Sequence, residues 1–148
     1  MRSIETLRSR VACAFVLALV SCSPQTSDPA PPADAERFNG TWSAKSGELK
    51  LWALDPQRLQ AEFNGEYEYQ TPDGPMVNVG TGKGVASVSS DTATFRPEEG
   101  DEDCVITLRL ADERLEASEM GECGFGLNVT AGGTYDRVSS DRPQFGTN

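Results

Sequence analysis

The 148-residue chain contains no histidine. That removes every Ser-His-Asp or Cys-His catalytic device and every histidine metal site. Lysine is scarce too, confined to Lys45, Lys50 and Lys83. Basic groups are outnumbered, 13 against 23 acidic ones, for a formal net charge of −10. Such a surface repels nucleic acid and favours a basic protein as partner. Catalysis would fall to paired carboxylates, a lysine or a tyrosine. The carboxylates are scattered over the polar faces of strand-like segments, where they are ordinarily solvated, so no enzyme activity is expected. Helical periodicity is also missing beyond the first 22 residues.

What is present begins with Arg2, Arg8 and Arg10, followed by an apolar run over residues 11–20. Its length suits the core of a signal peptide and is too short to span a bilayer as a mature helix. The run ends in Leu19-Val20-Ser21-Cys22. These four residues resemble the lipobox of bacterial lipoprotein precursors, with small side chains for a protease cleft and a thiol to take diacylglycerol. The resemblance implies a signal peptide over residues 1–21 and lipidation of Cys22, making the membrane a partner through that lipid. Each buried acyl methylene contributes about 0.8 kcal/mol, so several chains on one residue anchor stably. Ser23 follows. In lipoproteins an aspartate there favours inner-membrane retention, so the resemblance implies the outer membrane, facing the periplasm.

Residues 23–37 hold four of the nine prolines and no large apolar side chain. They cannot bury enough surface to offset ordering entropy, so residues 22–37 read as a tether. Residues 139–148 are polar and read as a flexible tail. One domain remains, residues 38–138, large enough for a single modest core. Three arginines and one glutamate leave with the signal peptide, so the formal −10 becomes −12 in the mature chain. Of the four cysteines, Cys13 leaves too and Cys22 is lipidated. Cys104 and Cys123 remain in an oxidising compartment and should pair. No thiol is then free for catalysis or metal binding.

Within the domain, period-two alternation dominates. Leu59, Ala61, Phe63, Gly65, Tyr67 and Tyr69 share one face, and Gln60, Glu62, Asn64, Glu66, Glu68 and Gln70 the other. That pattern suits a half-buried antiparallel strand. The same reasoning places strands at 40–44, 48–54, 59–70, 77–89, 92–96, 104–110, 115–120 and 133–138, with a short added strand at 127–131. Gly80, Gly82 and Gly84 suggest sharp coiling or a bulge in the fourth strand. Eight strands in sequential hairpins predict an all-β, up-and-down meander closed into a small barrel, with a two-sheet β-sandwich as the alternative. The pairing of Gly40-Thr41-Trp42 with Gly133-Thr134-Tyr135-Asp136-Arg137 is similar to lipocalin-like and avidin-like barrels. There a Gly-x-Trp on the first strand meets an arginine from near the end, which implies Arg137 stacked on Trp42.

A turn at 111–114 sets Leu110 opposite Leu115, Leu108 opposite Ala117 and Ile106 opposite Glu119. Cys104 then falls opposite Gly121, within loop reach of Cys123. The disulfide would clip the open end of this hairpin, contributing about 3 kcal/mol in the chain-entropy model.

Candidate functional residues fall in four groups. Glu98, Glu99, Asp101, Glu102 and Asp103 form the densest charge cluster. It reads first as a solvated turn, then as a contact for a basic partner, or weakly as a calcium site without EF-hand spacing, so no cofactor is assigned. Phe125, between Gly124 and Gly126 and beside Cys123, is either an outward aromatic anchor or an inward plug of the barrel end, the reading we favour. Trp52 is out of phase with Leu49, Leu51 and Ala53 and could form a surface patch with Leu54. Trp42, Phe63, Tyr67 and Phe95 are core residues that could instead line a ligand pocket.

These features suggest two roles. One is a protein-binding lipoprotein of the envelope. It is similar to the lysozyme-inhibitor lipoproteins in size, charge, location and architecture, which implies capture of a cationic hydrolase. The serine-glycine-x-x-tyrosine stretch of the membrane-bound inhibitors of c-type lysozymes is absent. The alternative is a carrier of a small apolar ligand inside the barrel. The lipobox reading has a direct check. Labelled palmitate should enter the wild-type chain and not the Cys22→Ser variant, and equal labelling of both would overturn the anchor.

Overall fold

The computed structural model describes residues 34–146, in which eight antiparallel strands form one closed barrel. The expected signal peptide, Cys22 and most of the expected tether lie outside the described residues. The strands are β1 (Gly40–Ala44), β2 (Gly47–Asp55), β3 (Arg58–Thr71), β4 (Gly74–Ser89), β5 (Thr92–Phe95), β6 (Val105–Ala111), β7 (Arg114–Met120) and β8 (Gly133–Ser139). Each pairs with the next, and β8 pairs with β1. The meander has closed on itself rather than splitting into two sheets.

Alternation builds this wall. Leu49 and Leu51 of β2, Leu59, Ala61 and Phe63 of β3, and Ile106 and Leu108 of β6 are all buried in one core. The β6–β7 register is the one expected by counting, with Leu110 opposite Leu115, Leu108 opposite Ala117 and Ile106 opposite Glu119. The Cys104–Cys123 disulfide closes that hairpin.

Both ends are plugged. At one, a 3-10 turn, Asp34–Phe38, buries Ala35 and Phe38. It extends the folded unit into residues expected as tether. Trp42 Nε1 donates to the Phe38 carbonyl at 2.9 Å. The Arg137 guanidinium sits 4.3 Å from the Trp42 ring centroid and donates to the Arg37 carbonyl. Desolvation holds the Arg137 pKa below its usual value, with Glu113 opposing that effect.

At the other end, residues 121–132 fold back over the barrel mouth. Residues 127–131 form no strand here, against expectation. Asn128 sits at φ +64°, which breaks an extended run. Glu119 instead accepts from Thr130 Oγ1 and the Ala131 amide, holding Val129 and Ala131 inward.

The glycines of β4 do not make a bulge. β3 and β4 pair without a register shift from Arg58↔Ser87 to Thr71↔Gly74. The glycines give room instead. A Cβ at Gly80 would lie 2.0 Å from the Phe125 carbonyl oxygen, and one at Gly82 would lie 2.6 Å from the Phe125 ring. The plug therefore packs directly on bare backbone. Gly80→Ala should cost about 1–3 kcal/mol, because backbone must move to admit the methyl. A thermal melt unchanged from wild type would contradict this packing.

Candidate functional site

The interior is the first place to look for a site, and it is filled. Trp42 and Phe63 are fully buried and Phe95 nearly so, all within one core cluster. Tyr67 is 38% exposed, so it does not share that environment. The four residues suggested as a ligand pocket are therefore not brought together. Phe125 is buried too, its ring centroid 5.0 Å from that of Phe63. It is the inward plug and cannot serve as an outward anchor. Gly124 and Gly126 at φ +65° and +114° supply the left-handed backbone that turns it in.

Trp52 faces outward, as its phase predicts, but is half-covered. The chain beyond β8 does not hang free as a tail. Arg142 lies 5.8 Å from the Trp52 ring centroid. Further on, the Gly146 amide donates to Glu62 Oε2 at 2.7 Å, and Lys83 Nζ donates to the Gly146 carbonyl. Glu62 is nearly inaccessible, and Lys50 and Asn64 also donate to it. Burial raises its pKa, but the bonds from Asn64, Gly146 and Lys50 outweigh that and hold it below the ordinary carboxylate range. Leu54 stays 48% exposed beside this segment.

Glu98, Glu99, Asp101, Glu102 and Asp103 are all exposed. Their loop is held by backbone, with the Glu98 amide donating to the Lys83 carbonyl and Arg96 to the Glu102 carbonyl. Among the described residues no three acidic or sulfur side chains converge as they would around a cation. The calcium reading gains no support.

Antiparallel alternation sorts the connections by end. The turns at 55–58, 89–92 and 111–114 lie with the 3-10 plug, where Asp34, Glu36, Asp55, Asp91, Asp112, Glu113 and Asp136 are partly offset by Arg37, Arg58, Arg114 and Arg137. The connections at 44–47, 71–74, 96–104 and 121–132 lie at the opposite end. That end carries Glu66, Glu68, Asp73, Glu98, Glu99, Asp101, Glu102, Asp103 and Glu122 against Lys45 and Arg96. Both ends are acidic, but nine acids against two bases here, compared with seven against four at the plug end, weight the negative charge towards this end.

From this acidic end a two-stranded arm projects. β3 and β4 run for 14 and 16 residues, whereas the other strands have 4 to 9. β2 follows β3 only as far as Gly65, so residues 66–79 extend past the wall. On the face continuing the barrel interior, Tyr67 and Tyr69 stack at 6.3 Å across from Asn78 and Met76. On the other face Glu66 and Glu68 oppose Val79 and Val77. Met76, Val77 and Val79 are 51%, 48% and 72% exposed. Asn78 Nδ2 donates to the carbonyl of Leu127, whose side chain is also exposed, which ties the arm to the plug loop.

A cleft of about 870 Å³ opens at the base of the arm, lined by residues 44–46, 66–68, 128, 130 and 132–134. Beside it Tyr135 Oη donates to the Ala131 carbonyl at 2.8 Å and lies 3.3 Å from Ser46 Oγ. Burial raises the Tyr135 pKa, with the Ser46 bond opposing and the Glu119 charge adding. Through its bond to the Ala131 carbonyl the phenol pins the loop. Sequence reasoning assigned Tyr67 to the interior and overlooked Met76, Val77, Val79 and Leu127. The usable signal was length, since twelve alternating residues at about 3.4 Å each outrun the wall of so small a barrel.

Compared with protein families, curated proteins and solved structures, the chain matches none.

Because the Glu62 pKa is lowered by folding, its contribution is full above the ordinary carboxylate pKa and is lost as pH falls through the depressed one. The Trp52 fluorescence should therefore hold steady as pH falls from neutral through the ordinary carboxylate range and change only below it, as Gly146 is released. Glu62→Gln should abolish that acid step. The same step in both proteins would assign it elsewhere.

Proposed function

We propose that this protein is a lipid-anchored module of the cell envelope that binds a cationic protein through the acidic end of its barrel. The observation that carries the reading is the projecting arm. Exposed Tyr67, Met76, Val77 and Val79 stand among Glu66, Glu68 and Asp73. Aromatic and aliphatic side chains ringed by charge of one sign suit a partner that is apolar at its centre and basic around it. The filled core supports a surface role over carriage of a ligand inside the barrel. The described chain enters at the opposite end, through the 3-10 turn.

The lipobox resemblance and the disulfide support an envelope location, facing the periplasm. A basic hydrolase such as lysozyme is the partner class that fits the charge, and masking such an enzyme would make the protein an inhibitor. The rim charges would speed encounter and make it salt-sensitive, while the arm would supply the short-range contact.

The Cys22→Ser protein should protect bacterial cells from lysis by hen-type or goose-type lysozyme at micromolar excess, more weakly as salt rises. Replacing Tyr67 and Val79 by serine should weaken binding at least tenfold, about 1.4 kcal/mol. Absence of protection ends the lysozyme version. Failure to retain any basic protein at low salt ends the class.

A further inference from the structure

Beyond Glu66, whose amide still reaches the Ser46 carbonyl, β3 has a neighbour on one side only. We propose that the partner's contact segment binds as an added β-strand along this free edge of β3, at residues 66–71. The inference rests on the binding role above and specifies its mode.

The hydrogen-bonding direction of the edge follows from one bond. The Glu66 amide donates to the Ser46 carbonyl, on the β2 side. Amide and carbonyl groups alternate sides along a strand, and β3 has no register shift here. Those of Tyr67, Tyr69 and Thr71 therefore face β4, and those of Glu68 and Gln70 face outward. The edge contains no proline, so Glu68 and Gln70 both keep an outward donor, while that of Glu66 is taken by Ser46. The opposite edge is poorer. Pro75 lacks an N–H, Asn78 is tied to Leu127, and Gly126 approaches the Val79 carbonyl. The cleft lined by residues 44–46, 66–68, 128, 130 and 132–134 lies where β2 would have continued, so an incoming strand finds open space there.

Side chains define the occupant. A strand paired with β3 would set alternate residues beside Glu66 and Glu68 on one face and beside Tyr67 and Tyr69 on the other. The complementary segment is extended, with basic residues alternating with apolar ones. A second copy of this chain fits badly, because edge-to-edge pairing would bring Glu66 and Glu68 against their own equivalents between two bodies of like charge. Backbone bonds would supply affinity and the alternating faces selectivity, as in strand addition generally.

The test uses the full chain carrying Cys22→Ser and a ten-residue peptide alternating lysine and valine. Binding should slow hydrogen exchange at Glu68 and Gln70. Glu68→Pro removes an edge donor without touching the β3–β4 ladder and should weaken binding at least tenfold, whereas Glu68→Gln should weaken it only a few-fold. The same peptide methylated at every backbone nitrogen keeps its charge and should not bind the unaltered edge, which keeps the test valid if Glu68→Pro misfolds. Equal binding of the methylated peptide, or binding without slowed exchange at Glu68 and Gln70, overturns strand addition and leaves docking by surface charge. So does failure of the peptide while basic proteins still bind. Loss of both peptide and basic-protein binding removes the underlying role as well. A stable dimer by sedimentation without peptide overturns the assignment of the occupant.

Discussion

When β8 pairs with β1, every strand of the meander gains two neighbours and the barrel wall loses its edges. Everything else follows from that closure. A ring of eight strands encloses a space just wide enough for side chains, and here large residues fill it. Trp42 of β1 sits under Arg137 of β8, so the seam is fastened by an aromatic ring and a cation as well as by the ladder. The register shift between Thr41 and Trp42 falls at this seam. With the interior filled and the wall sealed, chemistry is left to the outer surface and the two ends.

The ends differ in kind. One is closed by the 3-10 turn as the chain enters. The other is closed by a disulfide-clipped loop whose Phe125 rests on the bare backbone of Gly80 and Gly82. Among the described residues the longest free sheet edges lie where β3 and β4 outrun their neighbours, and there the sequence places glutamates, a proline and two tyrosines. Glutamate and proline are common guards against unwanted strand pairing. In a protein of strong negative charge the glutamates disfavour pairing between copies. Under the binding role proposed above, the same residues would select a basic strand.

Much of this architecture is legible in the sequence, because each strand announces its buried face by alternation. Counting back from the 111–114 turn gives the β6–β7 register and puts the disulfide within reach. The meeting of Trp42 with Arg137 is legible from a motif. The arm is not, because alternation is local. Tyr67 and Tyr69 continue the pattern of Leu59, Ala61 and Phe63 whether or not a barrel surrounds them. Only comparison of strand lengths places them beyond the wall. The stretch 127–131 has strand-like composition, but Asn128 and the bonds from Glu119 turn it into a plug. The stretch after β8 looks like a solvated tail, since one backbone amide reaching a buried carboxylate across 84 positions leaves no local trace.

The central claim is a closed barrel whose arm leaves the edge of β3 open to a partner strand. Residue-resolved hydrogen exchange of the unliganded protein tests it most directly. Amides across the β1–β8 seam should exchange only with global unfolding. Along the arm, Glu68 and Gln70 should exchange faster than Tyr67 and Tyr69, in strict alternation. Rapid exchange at the seam, or uniform protection along residues 66–71, would contradict the account.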